Sequence, residues 1–230
     1  MEKTKHSSPF QRSESFPIGV LLALIGGFLD AYTYFSRGGV FANAQTGNMV
    51  LLGMKLAEGS WSQAARYFLP IVAFAAGVLL TELIQKKCKQ SPGLHWRQRT
   101  VLIEGVILLL VGFVPGGKSN PGVNVAISFV CAMQVESFRK IHGLTYATTM
   151  CTGNLRSGTE NLFQYLKSGE KKRLWNSLKY YSINGAFIAG ALIGGLLTKC
   201  LGERAVWIVC LLLLVVFVFM CKVGKKTENS

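Results

Sequence analysis

The chain has 230 residues, half of them apolar, with only 16% charged and a formal net charge of +14. A soluble domain averages about 25% charged residues, so an ordinary soluble enzyme, a disordered chain and a disulfide-stapled miniprotein are excluded. The composition is that of a membrane protein.

Residues 1–15 are Ser-rich and carry Lys3, Lys5 and Arg12. They read as a cytoplasmic tail. The apolar run that follows is longer than the 7–15 residues of a secretory h-region and ends in no A-x-A-like site, so a retained first helix is expected. About 20 mostly apolar residues cross the hydrocarbon core as a helix, with a usable range of 17–25. In chain order, spans are expected over residues 16–36, 67–85, 100–117, 121–138, 178–199 and 204–222. Backbone polar groups in lipid must be satisfied within the segment, which makes helices the default. Two further segments, Val40–Ala57 and Leu144–Leu166, are long enough to cross but carry Asn, Gln, Thr and Gly in their middles. They are expected to face protein or water, either re-entering or broken.

The basic residues lie beside the ends of the apolar runs, in clusters around 86–99, 171–173 and 222–226. That distribution marks topology, not nucleic-acid binding. If both polar segments re-enter and leave on one side, 19 of the 25 Lys and Arg fall on the side of the N-terminus. The positive-inside rule then puts both termini in the cytoplasm. Glu82 and Glu104 are expected at the interface as partners of the 86–99 loop.

An internal repeat runs through the chain. Thr46-Gly47-Asn48 recurs as Thr152-Gly153-Asn154, and Asp30 matches Glu136 at the same offset. Further on, Ala73-Phe74-x-Ala76-Gly77 matches Ala186-Phe187-x-Ala189-Gly190. Trp61…Arg66-Tyr67 parallels Trp175…Lys179-Tyr180 between these anchors. The first repeat covers 16–117 and the second 118–222, followed by a tail of 223–230. Each half holds three full spans and one TGN segment. An odd number of crossings per half inverts the second half, an arrangement secondary transporters use, with the site near the midplane at the repeat interface. The expected fold is all-α: a polytopic membrane helix bundle of six full spans plus two polar TGN-bearing helices.

The stretch Gly27-Phe-Leu-Asp30-Ala-Tyr-x-Tyr, followed by Gly39-x-Phe41 and Thr46-Gly47-Asn48-x-x-x-Leu-Gly53, resembles the YoaK-like bacterial membrane proteins. The resemblance extends from about residue 16 to 222 and implies a small polytopic protein of the inner membrane. It carries over no established biochemical function.

Asp30 lies deep in the first span, where an acid costs roughly 2.5–3.5 kcal/mol by insertion scales. Paired with Glu136, it suggests a polar pathway that binds a cation or relays protons. The bland alternative makes Asp30 a helix cap or a partner of Arg37, and Glu136 a partner of Arg139. The TGN segments give the sharper signal, since Gly breaks or closely packs helices while Thr and Asn offer donors and acceptors. Asn43, Gln45, Thr46, Asn48, Thr152 and Asn154 are nominated as solute contacts, against a solute-free helix junction as the rival reading. Arg156 and Glu160, at i,i+4 spacing, are expected to form a salt bridge, either an internal pair that orients the helix or a gate or anion contact at Arg156 joined by Gln134, Arg139 and Asn184.

No G-x-x-x-x-G-K-[ST], H-E-x-x-H or G-x-S-x-G occurs. His6, His95 and His142 are dispersed and no C-x-x-C is present. An ATP-driven pump in a single chain is excluded, and no cofactor, metal or nucleic acid is expected. The expected partners are the bilayer and a small polar solute or ion, with a homo-oligomer left open. The reading is a non-enzymatic transporter or channel-like permease of the bacterial inner membrane, with a non-transporting assembly or sensing protein as the alternative.

Overall fold

The computed structural model describes residues 15–88, 94–141, 144–145 and 151–221. Residues 1–14 of the expected N-terminal tail, the expected C-terminal tail and residues 146–150 of the second polar segment lie outside them. The described residues form eight α-helices: α1 Phe16–Ser36, α2 Gln45–Ala57, α3 Trp61–Cys88, α4 Trp96–Val111, α5 Asn120–Ser137, α6 Cys151–Ser168, α7 Lys171–Leu201 and α8 Val206–Cys221. A 3-10 turn, Gly202–Ala205, joins the last two. The all-α expectation holds apart from a two-residue antiparallel ladder, in which Lys140 pairs with Thr145 and Ile141 with Leu144.

Each expected span coincides with a helix, but with shifted ends. The helix expected over 100–117 starts at Trp96 and stops at Val111, because Gly112, Pro115, Gly116 and Gly117 discourage continuation. Among the described residues, three helical stretches are long and apolar enough to cross a membrane: Phe16–Ser36, Trp61–Cys88 and Lys171–Cys221, the last joining α7 and α8.

The core sits on α1. Leu22, Ala23, Ile25, Phe28, Leu29 and Tyr32 are fully enclosed there. The principal neighbours are α1 on α7, α3 on α5, α6 on α7, α2 on α3, and α4 on both α8 and α5. Small residues make the closest of these approaches. A Cβ at Gly27 would overlap the Phe187 carbonyl, and one at Gly190 would overlap the Leu24 carbonyl. Gly77 on α3 stands in the same relation to Phe129 and Ala132 on α5. In lipid, where hydrophobic burial between helices gains little, such backbone proximity supplies the packing. Large apolar side chains such as Leu79, Val106, Leu110, Ile188, Leu192, Leu211 and Phe219 stand on the outside of the bundle. Their placement suits a hydrocarbon solvent.

Candidate functional site

After α1 the chain turns at Gly38 and Gly39, both at positive φ (89° and 74°), which only glycine adopts at little cost. It then runs back alongside α1. The Asn43 backbone amide donates to Asp30 Oδ1 at 2.7 Å, and Asn43 Nδ2 donates to the Gly26 carbonyl at 3.0 Å. The Ala42 and Ala44 amides also act on the Asp30 carboxyl. Gly26 is the midpoint of α1, so α2 begins halfway along its neighbour. The polar segment expected from Val40 is therefore a returning loop to Ala44 and a helix only from Gln45. Arg66, near the start of α3, donates to the Gly38 carbonyl. The α2–α3 turn consequently lies at the end where α1 finishes.

Asp30 thus holds three loop amides leading into the N-terminus of α2, where helical peptide dipoles favour a negative charge. It does not pair with Arg37. The Arg37 guanidinium is fully buried and donates to the Tyr32 hydroxyl (2.7 and 3.0 Å), the Val114 carbonyl (3.0 Å) and Asn120 Oδ1 (3.4 Å).

The first TGN motif occupies the first turn of α2. Asn48 is enclosed and closes the loop: its Oδ1 accepts from the Phe41 amide (3.1 Å) and its Nδ2 donates to the Phe41 carbonyl (2.7 Å) and Gln45 Oε1 (3.0 Å). Gln45 Nε2 donates to the Ala42 carbonyl. Thr46 points outward.

The second motif occupies the first turn of α6 in the same register. Thr152 is exposed and Asn154 buried. Asn184, near the middle of the 31-residue α7, donates to the Cys151 carbonyl at 3.0 Å. Further along, the Ser177 hydroxyl donates to the Gly158 carbonyl. So α6 also begins at mid-depth and runs toward the end where α7 starts. The Cys151 thiol is within electrostatic reach of Asp30, which brings the start of α6 to the carboxyl that holds the entry to α2.

Several expected contacts fall elsewhere. Glu136 pairs with Arg139 at 2.9 Å and meets the carboxyl of Glu82 on α3. Near the end of α5, it is no counterpart of Asp30 in environment. Arg156 and Glu160 are both exposed and form no ion pair with each other among the described residues. The two side chains leave the helix toward the outside, where long polar groups hold each other weakly. Gln134 is buried on α5 and donates to the Leu22 carbonyl. Glu104 is not an interfacial partner of the 86–99 loop: it lies mid-way along α4, fully enclosed, with both carboxyl oxygens lacking a hydrogen-bond partner. Its seven-residue separation from Arg97 was the available signal, since that is about two helical turns into α4.

Helices of this length and apolarity, with two polar helices starting inside the bundle, define a helical membrane protein. The chain belongs to the family described as "Protein of unknown function (DUF1275)", whose model matches residues 18–219. It is also 25% identical over 145 residues to the "UPF0700 transmembrane protein YoaK" of Bacillus subtilis (strain 168), over 62% of this chain. The match spans 64% of that relative's length. No solved structure matches the chain.

Proposed function

We propose that this protein is a permease, a transporter or channel-like conduit, for a small polar solute or ion. Its site lies where the starts of α2 and α6 approach Asp30 in mid-bundle. The observation that carries the reading is this convergence: the loop into α2 is hydrogen-bonded to Asp30 level with Gly26, and the first residue of α6 lies within reach of the same carboxyl. Helix starts at such depth are tolerated only where they are buried in protein or line a cavity. Their N-terminal ends, with exposed amides, suit recognition of a polar solute. The Asn43 and Asn184 Oδ1 atoms, one at each helix start, lack hydrogen-bond partners and remain available as acceptors.

An inverted repeat of six spans fits the packing. Exchanging α1 with α5, α2 with α6, α3 with α7 and α4 with α8 carries the principal contacts into one another: α1–α7 becomes α5–α3, and α2–α3 becomes α6–α7. Leu24 meets Gly190 and Phe28 meets Gly194, so α1 and α7 run in the same direction. The two TGN helices then leave the middle in opposite senses. On this reading the protein is non-catalytic and resides in the bacterial inner membrane with both termini in the cytoplasm.

The test is accessibility of single cysteines at 46 and 152, in a background lacking the six native cysteines, to a membrane-impermeant thiol reagent. Both positions are exposed in the first turns of their helices. Labelling of one from each side of the membrane, with protection by added solute, supports the conduit. Failure of both to react overturns it. The alternative is a non-transporting assembly or sensing protein, and it has its own observation: Asn48 is satisfied within its own loop. That reading gains if both cysteines stay inert while the protein remains folded.

A further inference from the structure

Buried oxygen atoms without partners are rare in folded proteins, because each forfeits the hydrogen bonds it made with water. Here several of them lie around α5. Asn124 Nδ2 donates to the Arg37 carbonyl at 2.9 Å, which leaves Asn124 Oδ1 unpartnered. One turn on, the enclosed Ser128 hydroxyl has no partner. Cys131, one further turn on, lies against the Asn43 side chain, whose Oδ1 has no conventional partner, and within electrostatic reach of both Asp30 and Glu104. Residues 124, 128 and 131 recur at i, i+4 and i+7 and therefore share one helix face. The Asn124 and Cys131 contacts turn that face toward α1 and the loop that follows it.

Glu104 lies at the far end of this stripe. The Ser137 hydroxyl donates to Thr100 Oγ1 at 3.1 Å, and Glu104 is within electrostatic reach of Cys131, so α4 runs antiparallel to α5. That register puts Glu104 close to the level of Met133, just beyond Cys131. Among the described residues, no cation forms an ion pair with Glu104. On α4 itself, Arg97 donates to the Ser137 carbonyl and Arg99 to the Leu94 carbonyl. On α8, Cys210 donates to the Gly105 carbonyl, and no charged residue occurs between 206 and 221. On α5 the titratable neighbour is Cys131, with Asp30 of α1 beyond it. On α3, Cys88 meets Arg99 and Glu82 meets Glu136. A naked carboxylate in such a place costs several kcal/mol. A proton removes that cost.

We propose that Glu104 is a proton-binding site at the inner end of a file of water molecules that runs along the Asn124–Ser128–Cys131 face of α5 toward Arg37. The unpartnered oxygens are acceptors or a hydroxyl, the set that water and a mobile proton satisfy. Buried waters take two to four such bonds. Glu104 gains the proton through its carboxyl oxygen and returns it to the same file, with no other bond changed. This deepens the permease reading by naming an ion, and it rests on that reading only for coupling to a solute.

The experiment is infrared difference spectroscopy of the full chain in lipid, with exchange into heavy water. The result expected is a protonated-carboxyl band that is lost in Glu104→Gln, shifted in Glu104→Asp, lowered by deuterium and bleached as pH rises. Ser128→Val breaks one hydrogen-bonding step in the file and slows deuterium entry about tenfold. If no such band is lost in Glu104→Gln and none shifts in Glu104→Asp, or if the band neither exchanges nor titrates, the proposal is overturned. Glu104→Asp serves where the Gln variant does not fold. A titrating Glu104 together with inert cysteines at 46 and 152 overturns the permease reading alone.

Discussion

The Asp30 carboxylate and the Asn43 backbone amide, 13 residues apart in sequence, meet at 2.7 Å in mid-bundle. That bond folds the chain back along α1 and fixes where α2 begins. A carboxylate hydrogen-bonded to amides is a stronger partner than a neutral group. Asp30→Asn keeps the size and one acceptor but removes the charge, and is expected to cost about 1–3 kcal/mol. Asp30→Ala costs more, because it orphans the loop amides. Denaturation in detergent micelles and amide hydrogen exchange over 41–48 check both. Faster exchange confined to that loop is the expected pattern, and unchanged exchange there refutes the anchoring role.

Asn48 and Phe41 form a closed pair through both ends of one side chain. Asn48→Leu leaves the Phe41 amide and carbonyl unpaired, with an expected loss of about 1–3 kcal/mol. Asn48→Asp retains the acceptor for the Phe41 amide but loses the donor, and falls between the two. A ranking of midpoints with Asp below Leu contradicts this account.

Two glycines of α7 separate packing from propensity. A Cβ at Gly190 overlaps the Leu24 backbone, while one at Gly185 meets nothing within 4 Å. Gly190→Ala forces α1 and α7 apart and is expected to destabilise by about 1–3 kcal/mol, the usual cost of overpacking. Gly185→Ala is expected to be neutral or to stabilise by up to about 1 kcal/mol through helix propensity. Thermal midpoints of the two variants in the same micelles decide the matter.

The start of α4 is sensitive to acid. His95 Nδ1 accepts from the Arg97 amide at 3.3 Å, and Gln98 Oε1 accepts from the His95 amide at 2.9 Å, closing a capping box. Burial, and then the Arg97 charge, lower the affinity of His95 for a proton below its ordinary value. The unfolded chain therefore binds the proton more readily, so the capping contribution is present above about pH 6.5 and fades as pH falls below it. Hydrogen exchange at 96–99 is expected to quicken on acidification in the native chain. His95→Asn, which caps without titrating, is expected to flatten that dependence.

Apolar runs and charge clusters located every long helix, because lipid imposes length and polarity limits on each segment separately. The extent of the returning loop was less legible. Val40, Phe41 and Ala42 are as apolar as a helix interior, and only Asp30, distant in sequence, turns their amides into a cap. The match of Asp30 with Glu136 is equally plain in the sequence and does not carry over to environment. Glu136 has Arg139 three residues on, whereas Asp30 is held by the backbone amides of Ala42, Asn43 and Ala44. Glu104 was misread because a nearby basic loop suggested a partner. Burial of a carboxyl depends on how α4 rotates against α5 and α8, which no local pattern encodes.

Arg37 reads in the sequence as an ordinary loop cation, yet it ties four parts of the chain together. It grips Tyr32, whose hydroxyl donates to the Glu203 carbonyl, and it reaches the end of α4 and the start of α5. Its own carbonyl accepts from Asn124. Prising this corner open would strand a guanidinium in hydrocarbon. Any rearrangement of the bundle must therefore carry this corner along intact, with the end of α1, the turn after α7 and the start of α5 moving together.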